Sequence, residues 1–103
     1  MIAMQVAELI VDYVLFLELT DEEDLNPDTA VKMMEALAGH LQEMDKGFLR
    51  QLVDAFPIIA EQYSGEAQQV VRDISHGYYL EDTLAADDPV KLAELEALRN
   101  ARD

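Results

Sequence analysis

The sequence predicts an all-α fold, a compact bundle of four or five helices joined by short loops, in a single domain spanning residues 1–103. Half of the residues are hydrophobic, while only four are glycine and three are proline, so the chain can bury a core. Its apolar residues recur at intervals of three and four, which is the period of an amphipathic helix. No segment shows the sustained alternation of apolar and polar residues that is typical of a strand.

The first predicted helix runs from about Ile2 to Leu19 and is apolar around most of its circumference. Its polar side chains at Gln5, Glu8 and Asp12 fall on one narrow stripe when successive residues are turned by about 100°. A helix of this kind is typical of the centre of a bundle. We therefore expect most of its apolar surface to be buried.

Capping signals place the starts of later helices. Asn26 precedes Pro27, so a side-chain acceptor at the N-cap is followed by proline at the first helical position. The second helix is predicted to run from there to about Asp45, which is itself a candidate cap for the third. Asp88 and Pro89 repeat the same signal and predict the start of the last helix.

The chain between these starts is less regular. Pro57 lies inside the apolar stripe of the third helix, which predicts either one kinked helix or two short helices. A fourth helix follows the turn at Ser64–Gly65, and we expect Gly77 to end it as a C-terminal cap residue. The stretch from Tyr79 to Asp87 is then expected to be a connecting loop.

The charge excludes several classes of function. There are 22 acidic and seven basic residues, so the net charge is -15. Nucleic-acid binders neutralise phosphates with Lys and Arg, so we expect no direct binding of nucleic acid. The same charge argues against binding an anionic membrane surface. The chain has no cysteine, which excludes disulfides, thiolate catalysis and thiolate-bound zinc.

Targeting signals are also missing from the apolar start of the chain. No Lys or Arg precedes Lys32, so the basic first part of a signal peptide is not found. Glu8, Asp12 and Glu18 interrupt the apolar run, which argues against a membrane span. We therefore expect a cytoplasmic protein.

Catalytic and metal-binding motifs do not match the sequence. It contains neither the Glu-x-x-His of di-iron bundles nor the His-Glu-x-x-His of zinc proteases. A calcium loop counted from Asp21 would need glycine at its sixth place and glutamate at its twelfth, where Asn26 and Lys32 stand. Ser75 and His76 are adjacent and would face different directions on a helix. We expect no enzyme, no metal and no cofactor.

A tyrosine pair followed by carboxylates is the strongest candidate for a binding site. Tyrosine offers a rigid contact area with a polar tip, and surrounding carboxylates attract a cationic partner. The alternatives are that the first tyrosine completes a buried helix face, that the second covers the end of the bundle, and that the acidic run is a solvated turn. The candidate partner-binding residues are Tyr78, Tyr79, Glu81, Asp82, Asp21, Glu22, Glu23 and Asp24.

The segment Tyr78–Tyr79 with its following acids, and then Asp87-Asp88-Pro89, resembles the bacteriocin nuclease immunity proteins. This resemblance covers about a quarter of the chain and implies a small acidic helical protein that presents tyrosines and carboxylates to a basic toxin nuclease. Phe16–Leu19 and Asn26–Lys32 are similar to uncharacterised small helical proteins of bacteria, which implies a bacterial source and no activity.

Four functions therefore compete. A small enzyme would need a pocket lined by carboxylates with raised pKa values. Of the three others, the first is an immunity or antitoxin protein that neutralises a basic toxin by occlusion. The second is a DNA-mimicking or regulatory protein that blocks a nucleic-acid-binding site. The third is an assembly module that dimerises or docks through apolar surface, for which the adjacent Met33 and Met34 would be suited if exposed. The sequence leaves open whether the chain is a monomer or a homodimer.

Overall fold

The computed structural model describes residues 2–102, and all of its regular secondary structure is helical, which confirms the predicted all-α class. Met1 and Asp103, which belong to the predicted domain 1–103, lie outside the described residues. The described range contains seven helices, because two single-turn helices replace the end of the predicted fourth helix and the loop after it. The helices are α1 (Ile2–Leu19), α2 (Pro27–Gln42), α3 (Lys46–Ala60), α4 (Gly65–Arg72), α5 (Ile74–Gly77), α6 (Leu80–Leu84) and α7 (Pro89–Arg102).

Helix α3 lies at the centre of the fold, where it packs against α1, α4, α5 and α6. It continues through Pro57 as one helix, so the alternative of two short helices is wrong. Pro57 itself is exposed, while Phe56 before it and Ile59 after it are buried. The buried residues of α3 are Leu49, Leu52, Val53, Ala55, Phe56, Ile59 and Ala60.

Helix α1 packs against α2, α3 and α4 on one side only. Helix α1 is thus a core helix on this face, as predicted, but its apolar surface is not enclosed around the rest of the helix. Leu9 remains 70% exposed and Phe16 54% exposed. The neighbouring helices reach one face of α1, and its outer face has no described neighbour. The buried residues of α1 are Ala3, Ala7, Ile10, Val11, Val14 and Leu17.

The predicted helix starts are confirmed by their side-chain hydrogen bonds. Asp45 Oδ2 accepts a bond of 3.0 Å from the Phe48 backbone N–H at the start of α3. Asp88 Oδ1 accepts one of 3.1 Å from the Lys91 backbone N–H at the start of α7. Helix α2 ends at Gln42, three residues earlier than predicted, which leaves Asp45 free to cap the next helix.

Asn26 is expected to contribute more to stability than the equivalent residue of α4. Its Oδ1 accepts hydrogen bonds from the backbone N–H groups of Asp28 and Thr29, at 2.9 and 3.2 Å. Ser64 occupies the N-cap of α4 but makes no capping bond. We expect Asn26→Ala to lower the free energy of unfolding by about 0.5–2 kcal/mol, and Ser64→Ala to change it by less than about 0.5 kcal/mol. Urea titration of the two variants measures the difference, and equal losses would contradict it.

The chain reverses at Tyr79 and not at Gly77. Gly77 stays helical, and its N–H donates a 2.8 Å bond to the carbonyl oxygen of Asp73. Tyr79 has a φ of 58°, in the left-handed region that costs a side-chain-bearing residue roughly 1–2 kcal/mol. A helix does end at Gly77, but Gly77 is its last helical residue and not the left-handed cap. The loop predicted from Tyr79 to Asp87 is wrong over Leu80–Leu84, which form α6. The left-handed turn starts α6 at Leu80, whose side chain is fully buried in the core.

Helix α7 is the most peripheral helix of the structure. None of its residues is buried, and Val90 and Leu98 are 69% and 61% exposed. Leu92 and Leu95 are partly covered on the side that meets α6. Polar contacts must therefore contribute much of its attachment. Within residues 2–102, no helix has both the length and the apolar character needed to cross a membrane.

Candidate functional site

The eight predicted binding residues occupy two places. The tyrosine–carboxylate segment, Tyr78–Asp82, runs from the end of α5 into the first turn of α6, and the acidic turn, Asp21–Asp24, lies between α1 and α2. The Tyr78 hydroxyl lies 3.3 Å from Oε2 of Glu18, which stands near the end of α1 just before the acidic turn. The fold thus brings the start of the segment to the end of α1.

Tyr78 belongs to the core. Its side chain is 6% exposed, and its carbonyl oxygen accepts a 3.0 Å bond from the side-chain amide of Gln42. Burial, together with the nearby Glu18 carboxylate, raises the pKa of Tyr78 far above its usual range. The hydroxyl therefore stays protonated and donates its hydrogen bond to Glu18. Tyr78 is thus buried, as the alternative of a buried helix face requires, although it lies just after the last residue of α5 and not on a helix.

Burial raises the pKa of Glu18 above its usual value of 4.5; the Tyr78 hydrogen bond opposes this, and the Asp73 charge adds to it. A raised pKa means that the folded state binds the Glu18 proton more tightly than the unfolded state does. The protonated carboxyl therefore favours folding at low pH, and this stabilisation is lost as the pH rises through the raised pKa. We expect Glu18→Gln to raise the melting temperature at pH 7, with the gain shrinking near pH 4. Thermal unfolding at both pH values measures it. Glu94→Gln, at an exposed position on α7, is the control for the general effect of removing one negative charge. An equal rise in melting temperature in that variant would contradict the attribution to the burial of Glu18.

Tyr79 is half exposed and lies under an arginine of α7. The Arg99 guanidinium carbon is 3.9 Å from the centroid of the Tyr79 ring, which is the geometry of a cation–π contact. The carbonyl oxygen of Tyr79 accepts bonds from the backbone N–H and the hydroxyl of Thr83, at 3.0 and 2.9 Å. These contacts hold the left-handed backbone in place. The exposed half of the ring remains open to a partner.

Both carboxylates of the tyrosine–carboxylate segment form ion pairs within the chain. Glu81 accepts two bonds from Arg50 of α3, at 2.7 and 3.2 Å. This pair is the main cause that raises the pKa of Arg50. Asp82 accepts a 2.8 Å bond from Arg99, whose other amino group also bonds to the carbonyl oxygen of His76 at 3.0 Å. A cationic partner would therefore have to replace an internal arginine to contact either carboxylate.

The acidic turn differs from the tyrosine–carboxylate segment in the pairing of its carboxylates. Asp21, Glu22, Glu23 and Asp24 are all exposed, and none of them forms an ion pair with another residue in the range 2–102. The carbonyl oxygen of Asp21 accepts bonds of 2.9 Å from the N–H groups of Asp24 and Leu25, so the backbone of the turn is ordered. Four negative charges are thus held in one short turn and left accessible.

Sequence reasoning missed the arginines that pair with the carboxylates of the tyrosine–carboxylate segment. Arg99 pairs with Asp82, and the nearby Arg102 forms a 2.9 Å pair with Asp73; both also stand in the last turn of α7, where cations oppose the negative helix end. Their spacing of three residues places both on one side of the helix, and this signal was available in the sequence. Arg50 carries no comparable signal, because its partner Glu81 lies 31 residues away.

A shallow cleft of about 270 Å³ separates α7 from the segment and contains Ser75 and His76 in its lining. No hydrogen bond joins these two side chains within the described residues, and His76 Nε2 lies 3.5 Å from Arg99. Among residues 2–102, no three His, Asp or Glu side chains are arranged to hold a metal ion.

Comparisons with protein-family models, with curated proteins and with solved structures give no match to this chain. Any assignment of function therefore depends on the geometry and charge described above.

Proposed function

We propose that the protein is a non-enzymatic binding module that neutralises a basic partner protein, in the manner of a bacterial immunity protein or antitoxin. The main support for this proposal is the uneven distribution of charge along the chain. Residues 1–31 contain eight of the 22 acidic residues and none of the seven Lys and Arg residues. The acids in this part of the chain are Glu8, Asp12, Glu18, Asp21, Glu22, Glu23, Asp24 and Asp28.

The acidic turn is the principal electrostatic contact in this proposal. Its carboxylates are exposed, whereas Glu81 and Asp82 are already paired with Arg50 and Arg99. Binding a Lys or Arg at the turn requires only the removal of water. Binding one at Glu81 or Asp82 also requires the loss of an internal ion pair. The exposed half of Tyr79 then offers a second, weaker contact.

Inhibition would proceed by occlusion. A concentrated negative charge raises the rate at which a basic protein associates, and it aligns the two surfaces before close contact. Once bound, the helical body covers the functional surface of the partner and excludes its substrate. No covalent step and no cofactor is required for this mechanism.

The experiment begins with affinity capture from the bacterial host at low salt, followed by purification of the basic protein that is retained. We expect that protein to be toxic when expressed alone, and co-expression with the present chain to restore growth. Binding should weaken by at least about tenfold between about 50 and 200 mM salt, because screening acts on exposed charges. A non-toxic partner whose DNA substrate competes for binding would instead support the DNA-mimic function.

Matched charge variants test the position of the contact. In the first, the four acids of the acidic turn are changed to Asn or Gln. In the second, Glu61, Glu66, Glu94 and Glu96, which are exposed and unpaired within residues 2–102, are changed to Gln. Both remove four charges. We expect only the first to slow association with the captured partner, and equal effects would refute the acidic turn as the contact.

A further inference from the structure

A stripe of exposed apolar side chains runs along the outer face of α1. Ile2 is 72% exposed, Leu9 70%, Phe16 54% and Tyr13 39%. Ile2, Leu9 and Phe16 are separated by seven residues each, and Tyr13 lies about one helical turn from the last two, so the four side chains lie nearly in a line. These four residues are called the α1 stripe. At 1.5 Å per residue the stripe is about 21 Å long.

The fold does not need the α1 stripe for its own core. The opposite face of α1 supplies the buried residues of this helix, and these pack against α3 and α4. Single exposed apolar residues are common on protein surfaces, but a contiguous row of large ones marks an interaction site. Ile2, Leu9 and Phe16 would gain more from being covered than Tyr13, because their exposed fractions are larger and their side chains are wholly apolar.

Carboxylates border the stripe. Glu8 and Asp12 both lie to one side of this line, about 100° and about 60° around the helix from Leu9. Neither forms an ion pair among residues 2–102, and no Lys or Arg occurs before Lys32. An occupant of the stripe must therefore bring its own positive charge if these carboxylates are to be paired.

This charge pattern also argues against a second copy of the chain as the occupant. In an antiparallel pair of α1 helices packed along their stripes, Glu8 and Asp12 of one copy would lie near the same residues of the other. Each copy also carries a net charge of -15. Like charges placed together oppose association.

We propose that the α1 stripe binds an amphipathic helix with a basic polar face, contributed by the partner protein. Apolar side chains of that helix cover Leu9, Tyr13 and Phe16, and its Lys or Arg side chains pair with Glu8 and Asp12. Helices that recognise an apolar surface use anchors at such three- and four-residue spacing. The proposal rests on the proposed function, since it specifies the structure of the basic partner and the surface that receives it.

The test uses a synthetic 21-residue peptide with leucine at the first and fourth positions of each heptad and lysine at most other positions. One control peptide replaces lysine with glutamate, and another has the leucine–lysine composition in scrambled order. We expect only the first peptide to bind the full-length chain with micromolar affinity in calorimetry, with a gain of helical circular dichroism. Equal binding of the scrambled peptide would show mere charge attraction and would overturn the proposal.

Matched variants locate the binding. Leu9→Ser with Phe16→Ser should weaken peptide binding by about tenfold or more, whereas Val90→Ser, at an exposed site on α7, should change it less than about twofold. Glu8→Gln with Asp12→Asn should weaken it by at least about threefold, and Glu94→Gln with Glu96→Gln by much less. Equal effects of the paired variants would overturn the assignment to α1.

Three further outcomes bear on this inference, and one of them separates it from the proposed function. If sedimentation shows a homodimer that Leu9→Ser dissociates, the occupant is a second copy and the inference is wrong. If the captured partner binds the Leu9→Ser, Phe16→Ser variant normally but fails to bind the acidic-turn variant, the proposed function holds and the inference fails. Loss of partner binding in the stripe variant, with the fold intact by circular dichroism, supports both.

Discussion

Replacing Arg99 with methionine is expected to release α7 while the remaining helices stay folded. The substitution removes the 2.8 Å ion pair with Asp82, the hydrogen bond to the carbonyl oxygen of His76 and the contact with the Tyr79 ring. The side chains of the ion pair are only 17% and 25% exposed, so solvent screens it less than a surface pair. We expect a loss of about 2–3 kcal/mol in the docking of α7.

Hydrogen exchange measures this release. The amide protons of α7 should exchange about 30-fold faster or more in the variant, because about 1.4 kcal/mol corresponds to a factor of ten. Those of α3 should be unchanged. Arg102→Met is the matched control, since its pair with Asp73 is 50% and 38% exposed and is expected to contribute less than about 1 kcal/mol. Unchanged protection of α7 in Arg99→Met would show that Leu92 and Leu95 are sufficient to hold it.

Phe56→Ala is expected to produce the largest loss of global stability. Phe56 is the largest fully buried side chain, 1% exposed at the centre of α3. Its removal takes away buried apolar surface and leaves a cavity, which together cost about 3–5 kcal/mol. Because domains of this size are stable by only about 5–15 kcal/mol, the variant should lie close to the limit of folding at 37 °C.

Chemical denaturation compares Phe56→Ala with Ile58→Ala. Ile58 lies two residues further along the same helix but is 56% exposed, so its truncation should change the free energy of unfolding by less than about 0.5 kcal/mol. The comparison separates core packing from any general effect of alanine near Pro57. A similar loss in both variants would mean that the outer side of α3 is also packed against another element.

Local signals in the sequence identified most of the helices. Side-chain caps at Asn26, Asp45 and Asp88 act within three residues of their own positions, so their hydrogen bonds could be predicted without knowledge of the fold. The single-turn helix α6 could not be predicted in this way. It has only five residues, and it follows from the left-handed backbone at Tyr79 and the burial of Leu80.

The candidate site could be predicted less well from the sequence than the helices. The tyrosine–carboxylate segment contains Tyr79, whose ring is half exposed, but its neighbour Tyr78 is in the core. The apolar spacing offers burial of Tyr78 as one alternative, but it does not decide between burial and exposure of the two adjacent rings. The turn at Tyr79 decides which ring enters the core. The acidic turn, by contrast, is exposed as a run of four charged residues would suggest.

The amino-acid sequence by itself determined the helical class, the caps and the excess of negative charge, because these depend on composition and on residues a few positions apart. Tertiary structure alone decided which face of α1 stays uncovered and which carboxylates remain free. Glu81 finds its arginine 31 residues away and Asp82 finds its own 17 residues away. Such pairings depend on how whole helices pack, and no local pattern encodes that packing.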